Sequence, residues 1–66
     1  MNVLVNGERR AVSAARNVAE FVNELELIPA TLLIEHNGIA LHRDEWGARD
    51  LNEGDRIELV RVVAGG

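Results

Sequence analysis

Few side chains in this sequence can do covalent chemistry. It has no cysteine, and all seven of its basic residues are arginine. Disulfides, thiolate metal sites and a cysteine nucleophile are therefore excluded. So are a Schiff-base lysine, a phosphate-binding lysine and a side-chain amine that could accept an isopeptide bond. Ser13 is the only serine, and no local pattern sets a histidine beside it to make a nucleophile. The two histidines, His36 and His42, could suggest a metal site among eleven carboxylates. The hairpin derived below sends them to opposite faces, however, so they read as exposed or half-buried strand histidines. Asp44-Glu45, Glu24 and Glu26 read as solvated carboxylates. The glycines of Asn6-Gly7, Asn37-Gly38 and Glu53-Gly54 read as turn residues and make no phosphate cradle. No enzyme site, bound cofactor or metal is expected from the side chains. The main chain remains. Ala64-Gly65-Gly66 follows directly on the best strand of the sequence and offers a carboxylate on a thin arm reaching roughly 10 Å. Gly65 and Gly66 lack Cβ and can thread a narrow slot. An ionised α-carboxylate, with a reference pKa of about 3.5, is a poor electrophile until it is activated. The arm therefore suits a substrate of an activating enzyme.

Sixty-six residues weighing 7.3 kDa allow one small core and no enclosed active site. A composition 47% apolar and 27% charged is that of a globular chain, not a disordered one. The net charge of −4 argues against nucleic acid, whose phosphates need a basic surface, and makes a neutral or basic partner patch the expectation. No apolar run approaches the roughly 18 residues of a membrane span, and Met1–Val5 has no basic region ahead of it. A soluble cytoplasmic protein is expected, away from membranes.

The elements that must position the arm follow from periodicity and turns. Val3-Leu4-Val5 runs into Asn6-Gly7, a strong hairpin signal because both centres of a type I′ turn need φ > 0. A second strand should run to about Ser13, with Val12 on the face of Val3 and Val5. The loop length, two residues or four, stays open. Asn17 opens a helix of about ten residues: Glu20 stands three residues on, as in a capping box, and Val18, Phe21, Val22 and Leu25 form an apolar stripe. Pro29 ends it by Ile28. Thr31–His36 and Ile39–His42 flank Asn37-Gly38. A two-residue loop there pairs His36 with Ile39 and Ile34 with Leu41, with Leu32, Ile34, Ile39 and Leu41 facing the core. Arg43–Asn52 reads as an irregular connection with one helical turn, where Trp46 caps an edge of the core. Arg56–Val63 is the strongest strand. Its Val60 and Val62 fall opposite Ile57 and Leu59, so both faces are partly apolar.

Two hairpins, a helix between them and a closing strand make an α+β domain. The simplest closure sets the last strand parallel to the first in mid-sheet. That is the β-grasp, or ubiquitin-like, arrangement: a mixed sheet of four to five strands with one main helix on one face. The expected organisation is a single domain over residues 1–63 and a flexible tail over 64–66.

Several segments carry a family resemblance: the opening Val3-Leu4-Val5-Asn6-Gly7-Glu8, the helix Val18-Ala19-Glu20-Phe21-Val22, Arg43-Asp44-Glu45-Trp46 ahead of Leu51, and the close Gly54-Asp55-Arg56-Ile57-Glu58 to Val63-Ala64-Gly65-Gly66. In this order, with the final Gly-Gly, the sequence resembles the small sulfur carriers of the ubiquitin-like superfamily, most closely the ThiS carriers that serve the thiazole half of thiamine. The resemblance implies that an E1-like, ThiF-type adenylyltransferase uses MgATP to adenylate the Gly66 carboxylate. Sulfur originating at a cysteine desulfurase then makes the thiocarboxylate, and a ThiG-type thiazole synthase consumes it. The carrier itself binds no cofactor and is monomeric when free.

A partner surface is expected on the outer face of the sheet, with Leu4 beside Val60 and Val62, Leu33 and Ala40 further along, and Arg61 with Arg56 as polar rim. Two alternatives stand beside this reading. One is a sibling carrier for molybdopterin synthase, tRNA thiolation or cysteine synthesis, sharing the Gly66 chemistry. The other is a ubiquitin-like modifier or plain interaction module.

Overall fold

Each Asn-Gly pair closes a two-residue hairpin. In the computed structural model, which describes residues 1–62, β1 (Asn2–Val5) pairs antiparallel with β2 (Glu8–Ala11), and Val5 stands opposite Glu8. Asn6 and Gly7 have φ of 50° and 84°, as the type I′ turn requires. The two-residue register is thus the one adopted. β2 stops at Ala11, two residues short of the expected Ser13. Val12 still donates its N–H to the Met1 carbonyl at 2.8 Å and is buried with Val3 and Val5. The second hairpin joins β3 (Leu32–His36) to β4 (Ile39–Leu41) through Asn37 and Gly38, with His36 opposite Ile39 and Ile34 opposite Leu41.

Between the hairpins lies α1 (Val18–Glu24), seven residues long and so shorter than expected. The Asn17 side chain accepts the Glu20 N–H at 2.9 Å. The Glu20 carboxylate reaches back one residue further than a capping box does, to the Arg16 N–H at 2.8 Å. The helix ends well before Pro29. The Glu26 N–H bonds the Asn23 carbonyl and the Leu27 N–H bonds the Val22 carbonyl, the paired bonds of a Schellman motif.

β5 (Arg56–Arg61) closes the sheet in the order β2-β1-β5-β3-β4, parallel to β1 and antiparallel to β3. This is the β-grasp topology that the element order implies. The strand ends at Arg61 rather than Val63. Phe21, Val18 and Val22 of α1 are buried with Val3, Ile34 and Ile57 of the sheet. Arg43–Ala48 forms a 3₁₀ helix, and it takes Trp46 into that core with only 3% of the residue exposed.

The core is confined to the middle of the sheet. Ile39, expected on the core face, is 51% exposed, and every residue of β2 is exposed. A helix about 10 Å across cannot cover five strands spaced about 4.8 Å apart. The outermost strands are therefore largely wet: β4 keeps only Leu41 packed against the core, and β2 is exposed on both faces, which is why Arg9 and Arg10 are tolerated there and also blunt that edge.

Candidate functional site

β5 leads from the core to the last described residue, and polar side chains hold it at both ends. At its start, the Asp55 carboxylate collects three bonds. His36 Nε2 lies 2.7 Å from Oδ2, the Asn52 N–H donates to the same oxygen at 2.9 Å, and Asn37 Nδ2 donates to Oδ1 at 3.1 Å. Arg49 Nε donates to His36 Nδ1 at 3.2 Å, so the imidazole proton sits on Nε2 and goes to Asp55. Burial pushes the Asp55 carboxyl up, but the hydrogen bonds from His36, Asn37 and the Asn52 N–H outweigh it and hold the group below the usual carboxylate range.

His36 was expected to be exposed or half-buried, and this is a correction: it is 3% exposed. It follows Leu32 and Ile34 on the core face at a period of two, a signal already in the sequence that its polarity obscured. The Asp55 carboxylate, distant in sequence, is what lets a polar ring sit there. His42 is exposed, so the two histidines do not converge. Among the described residues no group of three or more metal-ligating side chains comes together.

Two more carboxylates are not simply solvated. Glu24 accepts the N–H groups of Ser13, Ala14 and Ala15 at 2.7, 2.9 and 3.1 Å, tying the segment before α1 to the helix's last turn. The Ala14 and Ser13 N–H groups, opposed by desolvation and aided by the Ala15 N–H, hold its pKa below the ordinary range. Glu45 accepts the His42 N–H at 2.7 Å and so caps the 3₁₀ helix.

Further along β5, Asn6 Oδ1 accepts the Leu59 N–H at 2.8 Å and its Nδ2 donates to the Leu59 carbonyl at 3.2 Å. The Val62 N–H bonds the Thr31 carbonyl at 2.7 Å on the other side. Val60 is 56% exposed and faces outward directly opposite Leu33, itself 60% exposed. With Ala40, Glu35 and Glu58 they line a shallow depression on the outer sheet face.

Leu4 does not join them. It stands opposite Arg56 on one side and Arg9 on the other, four residues from Val60 along β5, or about 13 Å at 3.3 Å per residue. The expected continuous patch is divided into an apolar, acid-rimmed part around Val60 and an arginine-flanked part around Leu4. Val62, 49% exposed, and Arg61 border a second groove with Leu27, Ile28 and Thr31. Ala64, Gly65 and Gly66 lie outside the described residues.

Comparisons with known proteins agree with this architecture. Residues 3–66 match the model of the ThiS family. The chain is 29% identical over 66 residues to the sulfur carrier protein ThiS of Escherichia coli, covering 100% of both. It is also 29% identical to a thiazole synthase of Paramagnetospirillum magneticum and 30% identical to one of Magnetococcus marinus. The chain spans only 20% of the length of each of these two relatives. The crystal structure of the thiamine biosynthesis protein ThiS from Geobacter metallireducens superposes with a TM-score of 0.82 at 33% identity, with 100% of each chain covered. A β-grasp sheet with its closing strand in the middle, matched in sequence through residue 66, shows that the chain belongs to the ThiS family.

Proposed function

We propose that this chain is a sulfur carrier of thiamine biosynthesis and that its reactive group is the Gly66 carboxylate. The observation that carries the reading is the family match through residue 66, reinforced by end-to-end correspondence with the E. coli carrier. A ThiF-type adenylyltransferase joins the carboxylate to AMP from MgATP and releases pyrophosphate. A persulfide that originates at a cysteine desulfurase displaces AMP through its outer sulfur, and two electrons from thiols, such as excess cysteine, then cleave its S–S bond to leave the Gly66 thiocarboxylate, a good nucleophile at neutral pH. A ThiG-type thiazole synthase takes that sulfur. Supporting this last step, segments similar to this whole chain occur within longer proteins named thiazole synthase. The carrier is a co-substrate: it contributes no catalytic group and no resident cofactor, and it works as a monomer in the cytoplasm, where its ATP-dependent partner acts. The depression around Val60 and Leu33 is the surface read for the adenylyltransferase, with Arg61 and Val62 beside the departing terminus and Leu4 on a separate, arginine-flanked part.

Intact-mass measurement after incubation with MgATP, cysteine, desulfurase and the adenylyltransferase tests the reading. The expected product has one oxygen replaced by sulfur and is absent when Gly66 is deleted. An unchanged mass with the thiamine adenylyltransferase, together with conversion by the molybdopterin one, would transfer the chain to the sibling pathway.

A further inference from the structure

One side chain far from Gly66 in sequence bears on it through the strand that leads there. β1 ends at Val5, and the last backbone bond from this side to β5 runs from the Asn6 N–H to the Ile57 carbonyl at 2.9 Å. The chain then turns away through Asn6 and Gly7. Leu59, two residues further along β5, points its N–H and carbonyl to the same side as Ile57, where no strand backbone remains to meet them. The Asn6 amide meets both, at 2.8 and 3.2 Å. A primary amide offers the same donor and acceptor as a peptide unit, so the side chain stands in for one further residue of β1. The turn itself does not need this, because glycine satisfies φ > 0 equally well.

The other turn asparagine provides a comparison. Asn37 Oδ1 accepts the Arg56 N–H at 2.8 Å, so it holds the beginning of β5, while Asn6 holds the half that leads to Gly66. Each can be replaced by glycine without changing the turn.

We propose that Asn6 is a positioning residue for Gly66. By pairing with Leu59 it extends the two-sided support of β5 past the end of β1, and so sets how far from the terminus the strand stops being held from both sides. The inference rests on the reading of Gly66 as the activated carboxylate. Without the Asn6 amide, two-sided support ends at Ile57. The stretch of β5 beyond Ile57 is then held on the β3 side alone, by pairing that runs to Leu32–Arg61 and by the Val62 N–H on the Thr31 carbonyl, and it samples more conformations on the way to the terminus that an activating enzyme must capture. The extra conformations are lost on capture, not in the chemical step, so the effect falls on KM rather than kcat.

The test compares Asn6→Gly with Asn37→Gly in the full chain. Amide hydrogen exchange on the free carrier should show Leu59, whose N–H Asn6 accepts, exchanging about tenfold faster in Asn6→Gly than in wild type relative to Ile57, the scale of two lost hydrogen bonds. ATP–pyrophosphate exchange with the adenylyltransferase should show KM raised about three- to tenfold at unchanged kcat. Asn37→Gly should lower the melting temperature comparably and leave KM within about twofold. Unchanged exchange at Leu59, or an equal rise of KM in the two variants, would overturn the proposal. Should wild type itself support no pyrophosphate exchange, the Gly66 reading fails, and amide exchange alone still decides whether Asn6 holds β5.

Discussion

Glu26 is held at φ 58°, the left-handed conformation that costs a side chain roughly 1–2 kcal/mol and glycine nothing. It occupies the position after the α1 C-cap at which glycine is most common. Glu26→Gly is expected to stabilise the fold by about 0.5–1 kcal/mol, raising the midpoint of a thermal melt by roughly 3–6 °C. An unchanged midpoint would show that the strain is relieved elsewhere. Glu24 carries a pH prediction. Its folded pKa lies below the unfolded value because three N–H groups favour the charged form. The stability it contributes is therefore fully present above the unfolded carboxylate range, about pH 4, and is lost as pH falls through the folded pKa. Glu24→Gln should lower the melting temperature at neutral pH, with the gap to wild type closing toward pH 3. A gap that stays constant across that range would mean that the carboxylate's charge contributes nothing. Both residues lay beyond local reading. Glu24 meets N–H groups 9 to 11 positions away, whereas the Asn17–Glu20 cap, spanning three residues, was legible from spacing alone.

The elements themselves were largely legible because their signals are local. Asn-Gly requires φ > 0 at two successive positions, and the apolar stripe of α1 has helical period. Their ends were less so. β2 and α1 stop early and β5 stops at Arg61, because an edge strand or a helix end continues only while a neighbour supplies hydrogen bonds and cover. The junction of β3, the 3₁₀ helix and β5 shows how elements are locked to one another: Arg49, His36 and Asp55 form one hydrogen-bonded chain across all three. Asp55→Ala would leave the His36 Nε2–H and the Asn52 N–H without their acceptor. It is expected to cost about 2 kcal/mol or more in urea unfolding. A loss below about 0.5 kcal/mol would mean that water replaces the carboxylate.

At the scale of the whole molecule, one helix on one sheet face leaves the other face open, and β5, buried at Ile57 and exposed at Val60, belongs to both sides. Val60→Asp places a charge in the depression beside Leu33. Stability should change by no more than about 0.5 kcal/mol, as for other exposed positions, while adenylation by the activating enzyme falls to background. Wild-type adenylation of a folded Val60→Asp carrier would remove this face from the interface. Sequence alone determined the hairpins, the helix, the closing strand and the lack of cysteine and lysine, since each depends on residue type or on neighbours within a few positions. It also pointed to Gly66 as the one group left to react. Only the tertiary structure decided that His36 is buried, that Leu4 stands apart from Val60, and that Asn6 serves Leu59 as well as its own turn. Those facts depend on strand register and on partners as many as 53 residues apart, which exist only once β5 has entered the middle of the sheet.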